Sequence, residues 1–426
     1  MSRVSKNKVI YPPTKRTIAA KKSGSNFVRY SVGVYLDNAA ATPINSEVAK
    51  EMDRANCFYG NPSSFNDAGR MARDKIQQCR SSVAKFFGAR PDEIIFTSSG
   101  SEANNLAIFG LTKDLKPGEI LTTAVEHPSV LEPLRALKSK GWKIVNIRVD
   151  KNGIVDLRDL KQKLNSRVVL VSIMYANNEI GSIEPIKAIA KTIHDFRNHK
   201  FKIQNSKLKI DERIYPLLHA DACQAAEYLD MNVNNLGIDL MTINGTKIYG
   251  PRGTGLLYVK RGVKLSPLIL GGSHEGGLRA GTENLPGIVG LTKALALIKK
   301  DEAKRLSGIR DYFIEKIKSA IPDIVLNGPE GDRRLPNNIN ISVKGVDSET
   351  LLLELDKYRI YAGSGSACTS HSVEPSHVLM AIGVNKEYIN GALRLSLGRQ
   401  TTTDDIRYVL RVLAEAVNHL RKRQGR

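Results

Sequence analysis

The chain has 426 residues, 41% of them hydrophobic, enough to fill the cores of one large domain and one smaller one. Its formal net charge of +21 would ordinarily point to nucleic acid, but sixteen of those charges lie in residues 1–36, 197–213 and 421–426, so no specific nucleic-acid binding is expected of the mildly basic body. Four cysteines without a C-x-x-C pair or a His/Cys cluster argue against a disulfide framework and a metal site, and no run of about 18 apolar residues exists to span a membrane.

The N-terminus lacks the apolar core of a secretory signal, which predicts a cytoplasmic protein with reduced thiols. Residues 1–33 read as a basic, disordered extension; an organelle transit peptide is the alternative, and with it an organelle matrix, although Pro12 and Pro13 break the amphipathic helix it would need. A strand at Val34 leads into small residues, and a helix starts near Ser46. After the turn at Asn61, residues 68–87 form an amphipathic helix that stops at Gly88. Strands over 93–97, 120–125, 143–149 and 167–173 alternate with helices over 101–110, 128–141 and 186–196. This rhythm predicts an α/β fold whose mostly parallel sheet is covered on both faces, with ligands bound beyond the carboxyl ends of the strands.

Residues from about 197 to 215 fall where a short helix-to-strand connection would suffice, and read as an exposed insertion for which a hairpin is one available form. A glycine-rich loop at 271–284 precedes a long helix from near Pro286 that links the two domains. The remaining strands, 338–343 and 391–397, and helices, 349–355, 376–382 and 403–420, make a smaller α/β domain. The expected division is a large domain at 47–301 and a small one formed by 34–46 and 302–426.

Five polar clusters carry chemistry. Thr97 to Glu102 is a turn at a helix start, where free amides and hydroxyls suit a phosphate. His127, in Glu126-His127-Pro128, stands just past a strand end, either to stack on an aromatic ring and move protons or to cap the next helix. Tyr175 to Gly181 contributes the side-chain amides of Asn177 and Asn178, suited to a phenolic oxygen or a carboxylate, or else only an asparagine-rich turn. Asp221 and Gln224 end a buried strand, and Lys247 follows Asp221 by 26 residues in a turn between two strands. A lysine amine and an acid so presented suit pyridoxal phosphate, which needs the first for its aldehyde and the second to keep its ring nitrogen protonated. Cys368, finally, sits in a small-residue loop at 362–375, free to react, whereas Cys223 beside Asp221 reads as a packed thiol and Cys79 as a buried one.

From Val34 to about Leu420 the sequence resembles the cysteine desulfurases, pyridoxal-phosphate enzymes of the class V aminotransferase superfamily. The motifs that carry the resemblance are Leu-Asp-Asn-Ala-Ala-Ala-Thr-Pro, Gly-Asn-Pro-Ser-Ser, Glu-His, Asn-Asn-Glu-Ile-Gly, Asp-Ala-x-Gln, Lys-Ile-Tyr-Gly-Pro-x-Gly, Arg-Ala-Gly-Thr-Glu-Asn and Gly-Ser-Ala-Cys-Thr-Ser, the last similar to the long-loop subgroup. The resemblance implies fold type I and conversion of L-cysteine to L-alanine, with sulfur held as a persulfide and passed to an acceptor in iron–sulfur cluster assembly or tRNA thiolation. It implies that Lys247 bonds the cofactor aldehyde, that Asp221 pairs with the ring nitrogen, and that Gln224 and Asn178 contact the phenolic oxygen. His127 would stack on the ring, Gly100 and Ser101 would hold the phosphate, Thr282 would reach it from the partner subunit of a homodimer, Arg394 would bind the substrate carboxylate, and Cys368 would be the nucleophile. Asn244 and Thr246 are also implied phosphate contacts, although they stand where the family usually has serine and histidine, and Gly276 stands where an arginine is frequent. A selenocysteine lyase or a class V transaminase would also keep Lys247 and Asp221, and an RNA-binding protein on a vestigial enzyme fold would keep the charge.

Overall fold

The computed structural model describes residues 33–203, 215–365 and 375–423. The expectations for the N-terminal extension, for 204–214 of the insertion and for the Cys368 loop fall outside the described residues.

In chain order the first half contains β1 (Val34–Tyr35), α1 (Ser46–Ala55), α2 (Asp67–Phe87), β2 (Ile94–Thr97), α3 (Gly100–Thr112), β3 (Glu119–Thr123), α4 (Pro128–Lys138), β4 (Lys143–Ile147), α5 (Leu157–Lys163), β5 (Val168–Met174) and α6 (Ile186–Ile203). It continues with β6 (Leu217–Asp221), α7 (Val233–Leu236), β7 (Leu240–Asn244), β8 (Gly255–Val259), α8 (Leu285–Ala296) and α9 (Lys300–Ala320). The last stretch holds β9 (Ile324–Leu326), β10 (Asn338–Val343), α10 (Ser348–Lys357), β11 (Ile360–Tyr361), α11 (His377–Ala381), α12 (Lys386–Ile389), β12 (Ala392–Ser396) and α13 (Thr403–Arg423).

Seven strands form one sheet in the order β2-β8-β7-β6-β5-β3-β4, parallel except for β8, which runs antiparallel to both neighbours. Adjacent residues on each strand feed opposite cores. Phe96, Leu121, Val171, Leu218 and Met241 pack with α1, α2 and α8, whereas Ile95, Ile120, Leu170, Leu217 and Leu240 pack with α3 and α4. The two-residue period of a strand therefore makes both faces apolar, as a sheet with helices on both sides requires. Helix α2 ends where Gly88 adopts φ 66°, a left-handed C-cap that a side chain would strain. A second core gathers β9, β10 and β12 in an antiparallel sheet against α9, α10 and α13. The N-terminal strand β1 joins that body by pairing parallel to β11, Val34 opposite Ile360.

Two expectations change. The long helix from Pro286 is two helices: residues 297–299 leave helical geometry, Lys299 with φ −114° and ψ 127°, so the chain turns between the sheet's helical layer and the second core. The insertion does not begin at 197, because α6 continues to Ile203; Arg197 is tied to the sheet through Asp239, whose carboxylate also takes Lys260 and the Leu218 amide. Among the described residues no helix is long and apolar enough to cross a membrane, and no group of three or more His, Cys, Asp or Glu side chains is placed to hold a metal ion.

Candidate active site

The carboxyl ends of β5, β6 and β7 and the N-termini of α3 and α4 surround a cavity of about 240 Å³. Its walls bring together Gly100, Ser101, His127, Asn178, Asp221, Gln224, Asn244, Thr246, Lys247 and Arg394, with Ala39 and Ala40 from the loop after β1. A larger groove of about 590 Å³ lies between α2 and α8, but its apolar floor and rim of Lys75, Lys85 and Lys293 include none of these groups. Convergent chemistry, rather than size, identifies the cleft.

Lys247 owes its position to a tight reversal between β7 and β8. The Asn244 side chain accepts from the Thr246 amide, the Gly245 amide donates to the Thr254 carbonyl, and Tyr249 takes a φ of 60°. The lysine Nζ then lies 2.8 Å from the Ala39 carbonyl and 2.6 Å from that of Ala40. Gln224 Nε2 donates to the same Ala39 carbonyl at 2.9 Å, so the loop after β1 is held against the mouth of the cleft. Thr246 Oγ1 donates to Asn244 Oδ1 at 3.0 Å, which turns this hydroxyl toward its neighbour.

Asp221 is buried on the opposite wall. Its carboxylate accepts from the Cys223 amide at 3.0 Å and from Asn104 Nδ2 at 2.8 Å. His127 combines both expected roles: it lines the cavity, and it is the N-cap of α4, its Nδ1 accepting from the Ser129 amide at 3.1 Å. Burial pushes its pKa below the ordinary histidine value; Asp221 opposes that shift, and Lys247 and His377 add to it. Neighbouring Glu126 is fully buried, and desolvation raises its pKa well above the carboxylate range. Its Oε1 accepts from Thr123 Oγ1 at 2.8 Å while Oε2 has no partner among the described residues, so burial favours the protonated form of the acid behind the histidine.

Arg394, on β12, reaches the cleft from the second core. Its Nη2 donates to Asp37 Oδ1 at 2.8 Å and its Nη1 to the Asn178 carbonyl at 3.2 Å, while Nε is buried without a partner among the described residues. Asn177, by contrast, is structural: its Oδ1 accepts from the amides of Glu179 and Ile180, and its Nδ2 donates to the Val125 carbonyl. The Glu179 carboxylate takes the Ser376 hydroxyl at 2.6 Å, and His377 Nε2 lies 2.9 Å from the Glu126 carbonyl, so α11 begins on the same wall. Thr282 is exposed and does not line the cavity of its own chain. Cys368 lies outside the described residues. Cys223 lines the cleft, but burial raises its thiol pKa well above the usual value, so it rests as a neutral thiol rather than the thiolate that sulfur chemistry needs.

The residues present fit pyridoxal phosphate. A side chain at position 100 would put its Cβ 2.7 Å from Cys223 Sγ, so only glycine keeps this floor clear for a flat ring. The α3 N-terminus and the polar turn at 244–246 supply donors for a phosphate, Asp221 supplies an acid, Lys247 an amine and His127 a ring to stack. Sequence reasoning missed Asn104, Ser129 and the two carbonyls that hold Lys247. Ala39 and Ala40 lie in the Leu-Asp-Asn-Ala-Ala-Ala-Thr-Pro motif, but nothing in it announces a carbonyl contact; Asn104 and Ser129 belong to no motif read from the sequence, although Asn104, one turn into a helix that starts at the cleft, carried a positional hint.

A family model described as aminotransferase class-V matches residues 34–409. A protein named cysteine desulfurase IscS from Dictyoglomus turgidum is 45% identical over 91% of this chain and 95% of its own length, and one of the same name from Methanosarcina thermophila is 41% identical over 93% and 95%. Among solved structures, a NifS-like protein superposes with a TM-score of 0.81 at 32% identity, covering 91% of this chain and all of its own. A structure titled SspA in complex with cysteine superposes at 0.72, with 30% identity, over 85% of this chain and 98% of that one.

Proposed function

Starting from the premise that this chain belongs to the class V aminotransferase family and is a pyridoxal-phosphate-dependent cysteine desulfurase, we propose how its own residues divide the reaction. The observation that carries the proposal is the convergence of Lys247, Asp221, His127 and Arg394 on one cavity. Gly100, Ser101, Asn244 and Thr246 would hold the cofactor phosphate, Asp221 would pair with its ring nitrogen, His127 would stack on the ring, Gln224 and Asn178 would contact the phenolic oxygen, and Lys247 would bond the aldehyde. When bound, the cofactor acidifies the substrate α-carbon and stores the electrons released there.

Arg394, which lines the cavity, binds the carboxylate of L-cysteine through its guanidinium; Asn178 assists. Lys247 Nζ takes the proton from the substrate α-carbon, and neutral His127 serves as the second proton carrier. The Cys368 thiolate attacks the substrate sulfur: an S–S bond forms, the C–S bond breaks, and the electron pair left on the substrate is protonated to give alanine. Cys368 then holds a persulfide for an acceptor protein of iron–sulfur assembly or tRNA thiolation. Thr282, exposed in its own chain, reaches the phosphate of a second copy in a homodimer. We place the enzyme in the cytoplasm, and treat 34–46 with 302–426 as the small domain that moves Arg394 and Cys368 against the large one.

The test separates ring chemistry from sulfur chemistry. Lys247→Ala should lose the cofactor's near-visible band and all turnover, whereas Cys368→Ala should keep the band and release almost no alanine or sulfide. After a brief cysteine pulse, intact mass and peptide mapping should place one reducible extra sulfur on Cys368. Sulfur on Cys223, or retained in Cys368→Ala, would overturn the assignment of the nucleophile.

A further inference from the structure

We propose that Asn104 is a positioning residue that joins the carboxylate of Asp221 to the imidazole of His127 by orienting the Ser129 hydroxyl onto that ring's Nδ1. The inference rests on the reading that these two side chains flank the cofactor.

Asn104 lies one turn into α3 and is 0% exposed. Its Nδ2 is 2.8 Å from Asp221 Oδ2 and 2.8 Å from Ser129 Oγ. The reverse orientation of the amide would set its oxygen against the carboxylate, two acceptors face to face, so the chemistry of the partners decides that the nitrogen points there. Both of its hydrogens are then used, one on each partner. Ser129 Oγ accepts from Asn104 and keeps its own hydrogen for His127 Nδ1, 2.8 Å away. The Ser129 backbone N–H, which can only donate, points to the same nitrogen at 3.1 Å.

Two donors therefore converge on Nδ1, and that atom must carry the lone pair. In the neutral ring the proton sits on Nε2. The groups facing the ring are Asp221, which favours its protonation, and Lys247 and His377, which oppose it. Asn104 Oδ1 is buried and has no hydrogen-bond partner among the described residues. A leucine of nearly the same size would fill the helix position without an orphan carbonyl, so the two donated bonds are what the amide contributes here.

Nuclear magnetic resonance on the full-length holoenzyme tests the link without relying on turnover. With ¹⁵N-labelled histidine, assigned through His127→Gln, the wild-type ring should show one bare and one protonated nitrogen. In Ser129→Ala and Asn104→Leu the backbone N–H of residue 129 still holds Nδ1 bare, but with the hydroxyl lost or turned away the Nδ1 shift should move toward that of a less strongly bonded nitrogen, and the His127 midpoint should rise by roughly half a unit to one unit, as loss of one hydrogen bond to the neutral ring implies. With ¹⁵N-labelled pyridoxal phosphate, Asn104→Leu should move the ring-nitrogen shift in the same direction as Asp221→Asn, and Ser129→Ala should not. If Asn104→Leu lowers Tm but leaves both signals at their wild-type positions, Asn104 is only a packed amide and the proposal is overturned. Should Asn104→Leu fail to fold, an unchanged Nδ1 shift and an unchanged His127 midpoint in Ser129→Ala overturn it by themselves. If Asp221→Asn leaves the cofactor nitrogen unmoved, the placement of Asp221 beside that nitrogen falls, and this coupling with it.

Discussion

Arg394 in the cleft and Arg334 in the seam where residues 327–338 lie on 177–183 are equally buried, each 1% exposed, yet they are solvated by the protein in opposite ways. Arg334 is enclosed by acceptors: its Nε donates to the Pro329 carbonyl at 2.5 Å, its Nη1 to Asn338 Oδ1 at 3.0 Å and its Nη2 to the Asn327 carbonyl. Burial and nearby Arg310 push its pKa down to about 9, and no nitrogen of Arg334 is left over. Arg394 has one carboxylate, one carbonyl and a spare Nε beside a cavity. A buried cation whose three nitrogens are each engaged holds structure; one with a nitrogen in reserve beside a cavity is prepared for a ligand.

This contrast can be broken by exchanging the losses. Arg334→Leu strands two carbonyls and an amide oxygen in the seam, and should cost about 3–5 kcal/mol of stability with KM for cysteine almost unchanged. Denaturant unfolding with steady-state kinetics on the surviving native protein checks it. Arg394→Ala should do the reverse: KM should rise roughly 10- to 100-fold, the worth of a charge-assisted bond to a carboxylate, and stability should fall by less than about 1 kcal/mol. A Tm loss in Arg394→Ala as large as that in Arg334→Leu would mean that the spare donor has no bearing on substrate.

The seam also contains an acid to sharpen the comparison. Glu184 has a pKa raised to about 8 by burial, with the Val155 amide donating to its Oε2 at 3.0 Å. Its folded pKa lies above the ordinary glutamate value of about 4.5, so its contribution to stability is fully present below about 4.5 and is lost as pH rises through about 8. Glu184→Gln keeps the acceptor and removes the titration; its Tm relative to wild type should climb steadily from pH 5 to pH 9. A difference independent of pH would show that the carboxyl is already ionised in the fold.

The smallest effect belongs to the phosphate end of the cleft. There the Thr246 hydroxyl is engaged with Asn244, and a neutral hydroxyl is a weaker phosphate donor than a histidine. Asn244→Ser combined with Thr246→His should slow cofactor loss on dialysis by roughly threefold to tenfold, about the difference between a neutral and a charge-assisted bond. An unchanged rate would assign the phosphate to other donors.

The sequence by itself determined the alternation that builds the sheet, because β-strand and helix periods are local, and it displayed Lys247, Asp221 and His127 because each ends a strand or turn with its own signature. It also marked Gly88 as a helix stop. It mistook α8 and α9 for one helix, since nothing in residues 297–299 breaks a helix by composition, and it stopped α6 too early because the basic run from Arg197 looked like a loop. Tertiary structure alone decided the partners. Asn104 meets Asp221 across 117 residues, Lys247 meets Ala40 across 207, and Arg394 meets Asp37 across 357. Such hydrogen bonds follow no period along the chain. They exist because the strand ends of the sheet, the loop after β1 and a strand of the second core converge, and only the folded chain specifies which buried donor finds an acceptor and which is left in reserve.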